Sequence, residues 1–186
     1  MYYNKPLKSY LDDLAARLPA PGGGSASALG AALGFALISM VINFTLGKPK
    51  YIRYEPELTK LLSISEKMRK RLLELVDLDI AAYQSKDINK ALSVPLEVSR
   101  LCFEAIKLCP PLVKKGNVNL ISDVAVAVIL IEAGFSGALF NVLINLKILK
   151  DKKRADRIIK EMNRKKSSLR RIRRNLEVKI DEVIGR

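Results

Sequence analysis

From Ala26 to Leu46 the chain reads "ASALGAALGFALISMVINFTL" without one charged residue, and Ser122 to about Leu149 is nearly as bare, with Asp123 and Glu132 its only acids. Any fold must therefore hide two helices that are apolar on all sides. Such a helix belongs either in a bilayer or at the centre of a bundle or subunit seam. Gly30 and Gly34 form a small-xxx-small pair that lets helices approach closely in either setting. Against lipid, Ser39, Asn43 and Thr45 interrupt the first stretch, and Asp123, Glu132, Asn141 and Asn145 the second. Neither end carries an aromatic belt. The expectation is a buried core and a dimer seam, with no membrane partner.

The other segments also read as helix. Leu7, Tyr10, Leu11 and Leu14 share a face over Pro6–Leu18, and Pro19 and Pro21 stop that helix. Leu61, Leu62, Ile64, Met68, Leu72, Leu75 and Val76 recur at helical spacing between Pro56 and Tyr83. A third pattern covers Asn89 to about Leu108 with an interruption at Pro95, and a short piece after Pro110-Pro111 ends in a turn at Gly116-Asn117. Asp151–Ile184 is a strongly basic helix with an apolar stripe that includes Ile158, Met162, Leu169, Leu176 and Ile180. No segment alternates with period two. The fold class expected is all-α: an antiparallel helical bundle with two buried apolar helices, one domain over 1–186, assembling as a homodimer.

The chain has no histidine, which excludes Ser-His-Asp and Cys-His nucleophile systems and an imidazole base. Acid–base work falls to carboxylates, Lys, Tyr or Cys, and no metal site is expected. Cys102 and Cys109 stand about 10 Å apart along one helix, too far for a disulfide, and read as buried thiols in a reducing compartment. Without a basic-then-apolar leader at the N-terminus, a cytoplasmic location is expected.

"PGGGSAS" ahead of the first apolar helix admits two readings. Glycines before a helix can bring backbone N–H groups to an anion, with Ser25 as N-cap. They can equally make a tight helix–helix turn that needs positive φ. No Lys-Ser/Thr follows the glycines and no strand precedes them, so neither familiar phosphate-loop pattern is present.

"PAPGGGSASALGAALGFALISMVINFTLGKPKY", "VDLDIAAY", "SVPLEVS" and "GNVNLISDVAVAVILIEAGFSGALFNVLINLKILKD" follow one another in that order. Together they resemble the cyclodeaminase domain of formiminotransferase-cyclodeaminase and its free-standing bacterial relatives, including methenyltetrahydrofolate cyclohydrolases. The resemblance spans about residues 5 to 151. It implies an all-helical homodimer that binds a tetrahydrofolate derivative, polyglutamylated forms included, in a cleft near the subunit interface, with no further cofactor. It also implies that Asp79, the second acid of Val76-Asp-x-Asp-x-x-Ala-Tyr83, is catalytic. Asp77 and Asp79 point about 200° apart on a helix, so only one can face a given cleft. The connection Gln84–Leu92 is shorter than in many relatives.

Candidate substrate-binding residues are Gly22, Gly23, Gly24, Ser25, Lys48, Asn117, Ser122, Asp123, Asn141 and Asn145. Asp123 can instead serve its helix N-terminus, and Asn141 and Asn145 can pair across the bundle. The resemblance implies chemistry at the carbon bridging N5 and N10, with methenyltetrahydrofolate cyclohydrolase ahead of formiminotetrahydrofolate cyclodeaminase. A reading from another class is a non-catalytic helical scaffold that binds a polyanion or a nucleic acid. The formal charge of +14 is concentrated after Lys147, but no stacking platform or helix-turn-helix accompanies it, so nucleic acid is not an expected partner.

Overall fold

The computed structural model describes residues 1–185. Among these the chain forms seven α-helices: α1 Leu7–Ala15, α2 Gly23–Asn43, α3 Glu55–Gln84, α4 Ile88–Ala105, α5 Cys109–Lys115, α6 Ile121–Ile148 and α7 Lys152–Ile184. Short 3-10 turns at Tyr2–Asn4, Pro49–Tyr54, Ile106–Leu108 and Val118–Leu120 join or precede them. Local signals explain several boundaries. Pro56 sits in the first turn of α3 beside Glu55 and Glu57, where a missing N–H costs nothing and acids face the helix dipole. Asp87 caps α4 by accepting from the Asn89 N–H at 2.8 Å, and Asp151 caps α7 through the Arg154 N–H at 2.9 Å.

The two apolar helices form the centre. α2 lies along α6 on one side and α3 on the other, while α4 packs on α6 and α3 and α7 covers α6 from outside. Phe35, Ile38 and Ile42 of α2, Leu58, Leu72 and Leu75 of α3, and Ile131 and Phe135 of α6 are fully buried together. α2 and α6 run in opposite directions, since Gly34 meets Ile131 and Ala127 whereas Gly134 meets Ala31 and Ser27. Two helices, Gly23–Asn43 and Val118–Ile148, have the length and hydropathy of a membrane span, yet about half of each lies inside the bundle. Their buried hydroxyls are paired: Ser39 Oγ lies 2.9 Å from Ser65 Oγ, which also reaches the Phe35 carbonyl at 3.1 Å.

The seam is closed by glycine for want of space. A Cβ at Gly134 would stand 2.8 Å from the Ala31 Cβ and 3.0 Å from the Ser27 carbonyl oxygen. Gly134→Val is therefore expected to cost about 3 kcal/mol through overpacking. In a chain of this size that lowers the melting temperature by about 6–12 °C, which calorimetry would register.

Some expectations need correction. α1 is shorter than Pro6–Leu18 and buries only Tyr10 of its apolar face; Leu7 and Leu11 are 61% and 50% exposed, because no element covers that side of the chain. Pro95 does not interrupt α4, which runs through it as one helix. Cys102 and Cys109 are free and buried as expected, though a 3-10 turn separates their helices; burial pushes both thiols up, Cys109 to about 12.

Candidate active site

Tyr2 and Tyr3 decide which of the two α3 acids is available. Their backbone N–H groups donate to the Asp77 carboxylate at 2.6 and 3.1 Å, tying that acid to the N-terminal turn. Asp79 points the other way, as the helical offset requires, toward the start of α2. Desolvation raises its pKa above the ordinary carboxylate value, opposed by the backbone N–H of Ser25. A carboxylate in that state is both a usable proton acceptor and a negative charge held where water screens it poorly.

The α2 N-terminus is built to admit it. Gly22, extended at φ −143°, is the N-cap, and the helix begins at Gly23. Ser25 is thus not the cap; it lies inside the first turn, fully buried, with its hydroxyl 3.1 Å from that of Tyr10. Nor do the three glycines supply a positive-φ turn, since positive φ among glycines occurs only at Gly47 and Gly185 in the described residues. What Gly24 supplies is room. A Cβ there would overlap the Asp79 carboxylate, standing 2.7 Å from its Cγ, whereas Gly22 has open space and Gly23 meets only Asn141 Nδ2 at 3.8 Å. The free N–H groups of the first turn and the positive end of the helix dipole face the same place.

A cleft of about 280 Å³ opens here, between Pro19, Ala20 and the three glycines, Asp79 and Tyr83 of α3, Ala91 of α4, and Asn141, Ile144 and Asn145 of α6. Asn145 pairs across the bundle, donating from Nδ2 to the Ala91 carbonyl at 2.7 Å, while Asn141 bonds its own helix at Gly137, 3.0 Å away. Both amides therefore stand on the cleft wall with fixed orientation. Tyr83, the last residue of the aspartate motif, and Ile144 line the cleft although neither is among the sequence candidates for the site. Tyr83 is one turn beyond Asp79 and Ile144 lies between the two asparagines, so helical spacing from the chosen residues was the signal that could have found them.

Four candidates lie elsewhere in the single chain. Asn117 receives its backbone contact at the far end of α2, donating its N–H to Thr45 Oγ1 at 2.9 Å, and its amide nitrogen donates to the Phe44 carbonyl. Lys48 belongs to the same end, and Ser122 and Asp123 open α6 just after Asn117. Asp123 occupies the first turn of α6 without making a capping hydrogen bond. The 21 residues of α2 put about 30 Å between that end and the glycines. The structure therefore joins Gly22, Gly23, Gly24, Asp79, Asn141 and Asn145 at one cleft, places Ser25 directly behind it, and separates Lys48, Asn117, Ser122 and Asp123 from it.

A half-buried carboxylate at a helix N-terminus, with fixed amides opposite, gives this helical bundle a cleft able to accept a proton and to oppose a positive charge. The sequence matches the family model described as formiminotransferase-cyclodeaminase over residues 6–86 and 84–164, and the chain belongs to that family. It is 36% identical to a methenyltetrahydrofolate cyclohydrolase of Methylorubrum extorquens, with 86% of this chain and 88% of that protein covered. It is 31% identical to the formimidoyltransferase-cyclodeaminase of Rattus norvegicus over 78% of this chain, and the match takes in 31% of that longer protein. A crystal structure of a formiminotetrahydrofolate cyclodeaminase from Thermotoga maritima superposes with a TM-score of 0.85 at 29% identity, covering 100% of this chain and 98% of the other.

Proposed function

We propose that this chain is a methenyltetrahydrofolate cyclohydrolase, acting on the carbon that bridges N5 and N10 of tetrahydrofolate. The observation that carries the reading is the desolvated Asp79 carboxylate packed against Gly24 in the cleft. The methenyl bridge is an amidinium cation, so it needs no metal or resident cofactor to become electrophilic. Asp79 faces the cation as counter-charge and accepts a proton from the water that attacks the bridging carbon. That proton passes to N5 as the carbon–N5 bond breaks. The hydroxyl proton of the adduct is released as the formyl carbonyl forms on N10, which balances the conversion of cation and water to 10-formyl product and one proton.

The cleft volume sits at the lower end of the range for small-molecule sites. It suits the bicyclic ring and the bridge, with Asn141 and Asn145 offering amide edges to the ring, and leaves the glutamate tail, single or extended, outside. The likeness to the Thermotoga maritima cyclodeaminase keeps a second reading, in which N10 attacks a formimino carbon on N5 and ammonia leaves. Apolar side chains along one flank of α2 and α6, among them Leu33, Ile129 and Phe140, remain solvent-facing in one chain, and a homodimer would cover them. Lys48, Asn117, Ser122 and Asp123 would then contribute from the outer ends of that seam. We infer a single catalytic domain working in the cytoplasm.

Mixing the protein with 5,10-methenyltetrahydrofolate and following its near-ultraviolet absorbance tests the reading. Loss well above the uncatalysed rate is expected. Turnover of 5-formiminotetrahydrofolate alone would select the cyclodeaminase, and turnover of neither would sink the enzymatic reading.

A further inference from the structure

α7 carries a feature that folate chemistry does not use. Its apolar stripe, with Ala155, Ile158, Met162, Leu169, Leu176 and Ile180, is buried against the bundle. Two of its acids are paired, Glu161 with Arg100 at 2.7 Å and with Lys165, and Glu177 with Arg173, which also reaches Glu132 of α6; Asp156, Asp181 and Glu182 are exposed, and Asp156 stands beside the cations described next. Directly opposite the buried stripe, Lys153, Arg157, Lys160, Arg164, Arg171 and Arg174 are all exposed. Their spacing of three, four and seven residues sets them in one row along about 30 Å of helix. None of the six has an acidic partner among the described residues. Between Arg164 and Arg171 the small side chains of Ser167 and Ser168, with Asn163 beside them, leave a shallow notch flanked by guanidinium groups.

Against the expectation from sequence, which lacked the row and its notch, we infer that α7 docks the phosphate backbone of a nucleic acid, without reading its sequence. Guanidinium and hydroxyl groups in a notch suit a phosphate, and a straight row of cations suits a chain of them. An anionic membrane is disfavoured because an interfacial helix must insert its apolar face, and that face of α7 is committed to the core. α7 contains no aromatic residue, so contact by base stacking is absent and a duplex serves as well as a single strand.

Fluorescence anisotropy with a labelled 20-base-pair DNA duplex, read across salt concentrations, tests this. If about four phosphates are neutralised, affinity should fall about a hundredfold between 50 and 200 mM salt. Arg164→Ser with Arg171→Ser should flatten the log–log salt slope by about 1.8. Lys60→Ser with Lys67→Ser removes the same charge from α3 and should leave the slope unchanged. Three results would overturn the inference: no binding at 50 mM salt, equal effects of the two double variants, or tighter capture by phosphatidylserine vesicles through the same arginines. The melting temperature and folate turnover of each variant report whether the fold is intact.

Discussion

Asp79→Asn is expected to lower folate turnover at least about a thousandfold while raising the melting temperature. The substitution keeps the shape of the side chain that Gly24 accommodates and removes both the proton acceptor and the charge opposite the cation. The gain in stability has a separate cause. Burial holds the folded-state pKa of Asp79 above its ordinary value, so between those two values the native chain keeps a proton that the unfolded chain has released. Stability therefore falls as pH rises through that window and stays lower above it. Asparagine has nothing to ionise, so the variant's advantage is absent below the window and complete above it. The variant should therefore melt above the parent at neutral pH and level with it below the window, which calorimetry at the two pH values would register. Parent activity should fall as pH drops through the raised Asp79 value, because the base becomes protonated. Near-parental turnover by the Asn variant would remove Asp79 from the mechanism, whatever its melting behaviour.

The fold was legible because Ala26–Leu46 and Ser122–Leu149 leave no charged face, so both had to be central, and the structure buries them against each other. The division between Asp77 and Asp79 was legible for a similar reason: a fixed angle per residue permits one of them at the cleft, and the N-terminal turn claims the other. Helix beginnings were less legible. Glycine is a poor helix former, which argues for starting α2 at Ser25, yet packing of Gly24 on Asp79 carries the helix back to Gly23. The glycine run likewise suggested unusual dihedrals, when its use is close approach between two elements far apart in sequence. Helical periodicity placed Leu7 and Leu11 with Tyr10, but periodicity describes a face without showing what, if anything, lies against it. Motif order assembled Asn117, Ser122 and Asp123 with Asp79, although a helix of fixed rise keeps them apart within one chain.

Gly24→Ala is expected to reduce kcat at least about a hundredfold, the scale of loss when a reacting group is displaced by about 1 Å. The added methyl group would occupy the space of the Asp79 carboxylate, so either the acid rotates out of the cleft or the first turn of α2 shifts away from it. Each outcome separates the charge from the N–H groups and the dipole that hold it. Gly22→Ala meets open space, and Gly23→Ala meets only the Asn141 amide nitrogen at ordinary contact distance. Those two variants should retain most of kcat, with any effect of Gly23→Ala appearing in KM through the cleft wall. The series distinguishes the roles that one glycine run could have. If the glycines served chiefly as a flexible turn or as a backbone cradle for an anion, Gly22 and Gly23 would be as sensitive as Gly24. If they serve to bring α2 onto Asp79, the loss is confined to Gly24. Steady-state kinetics of the three alanine variants, with circular dichroism to establish that each remains folded, decides between these: equal losses at all three positions would refute the close-packing account.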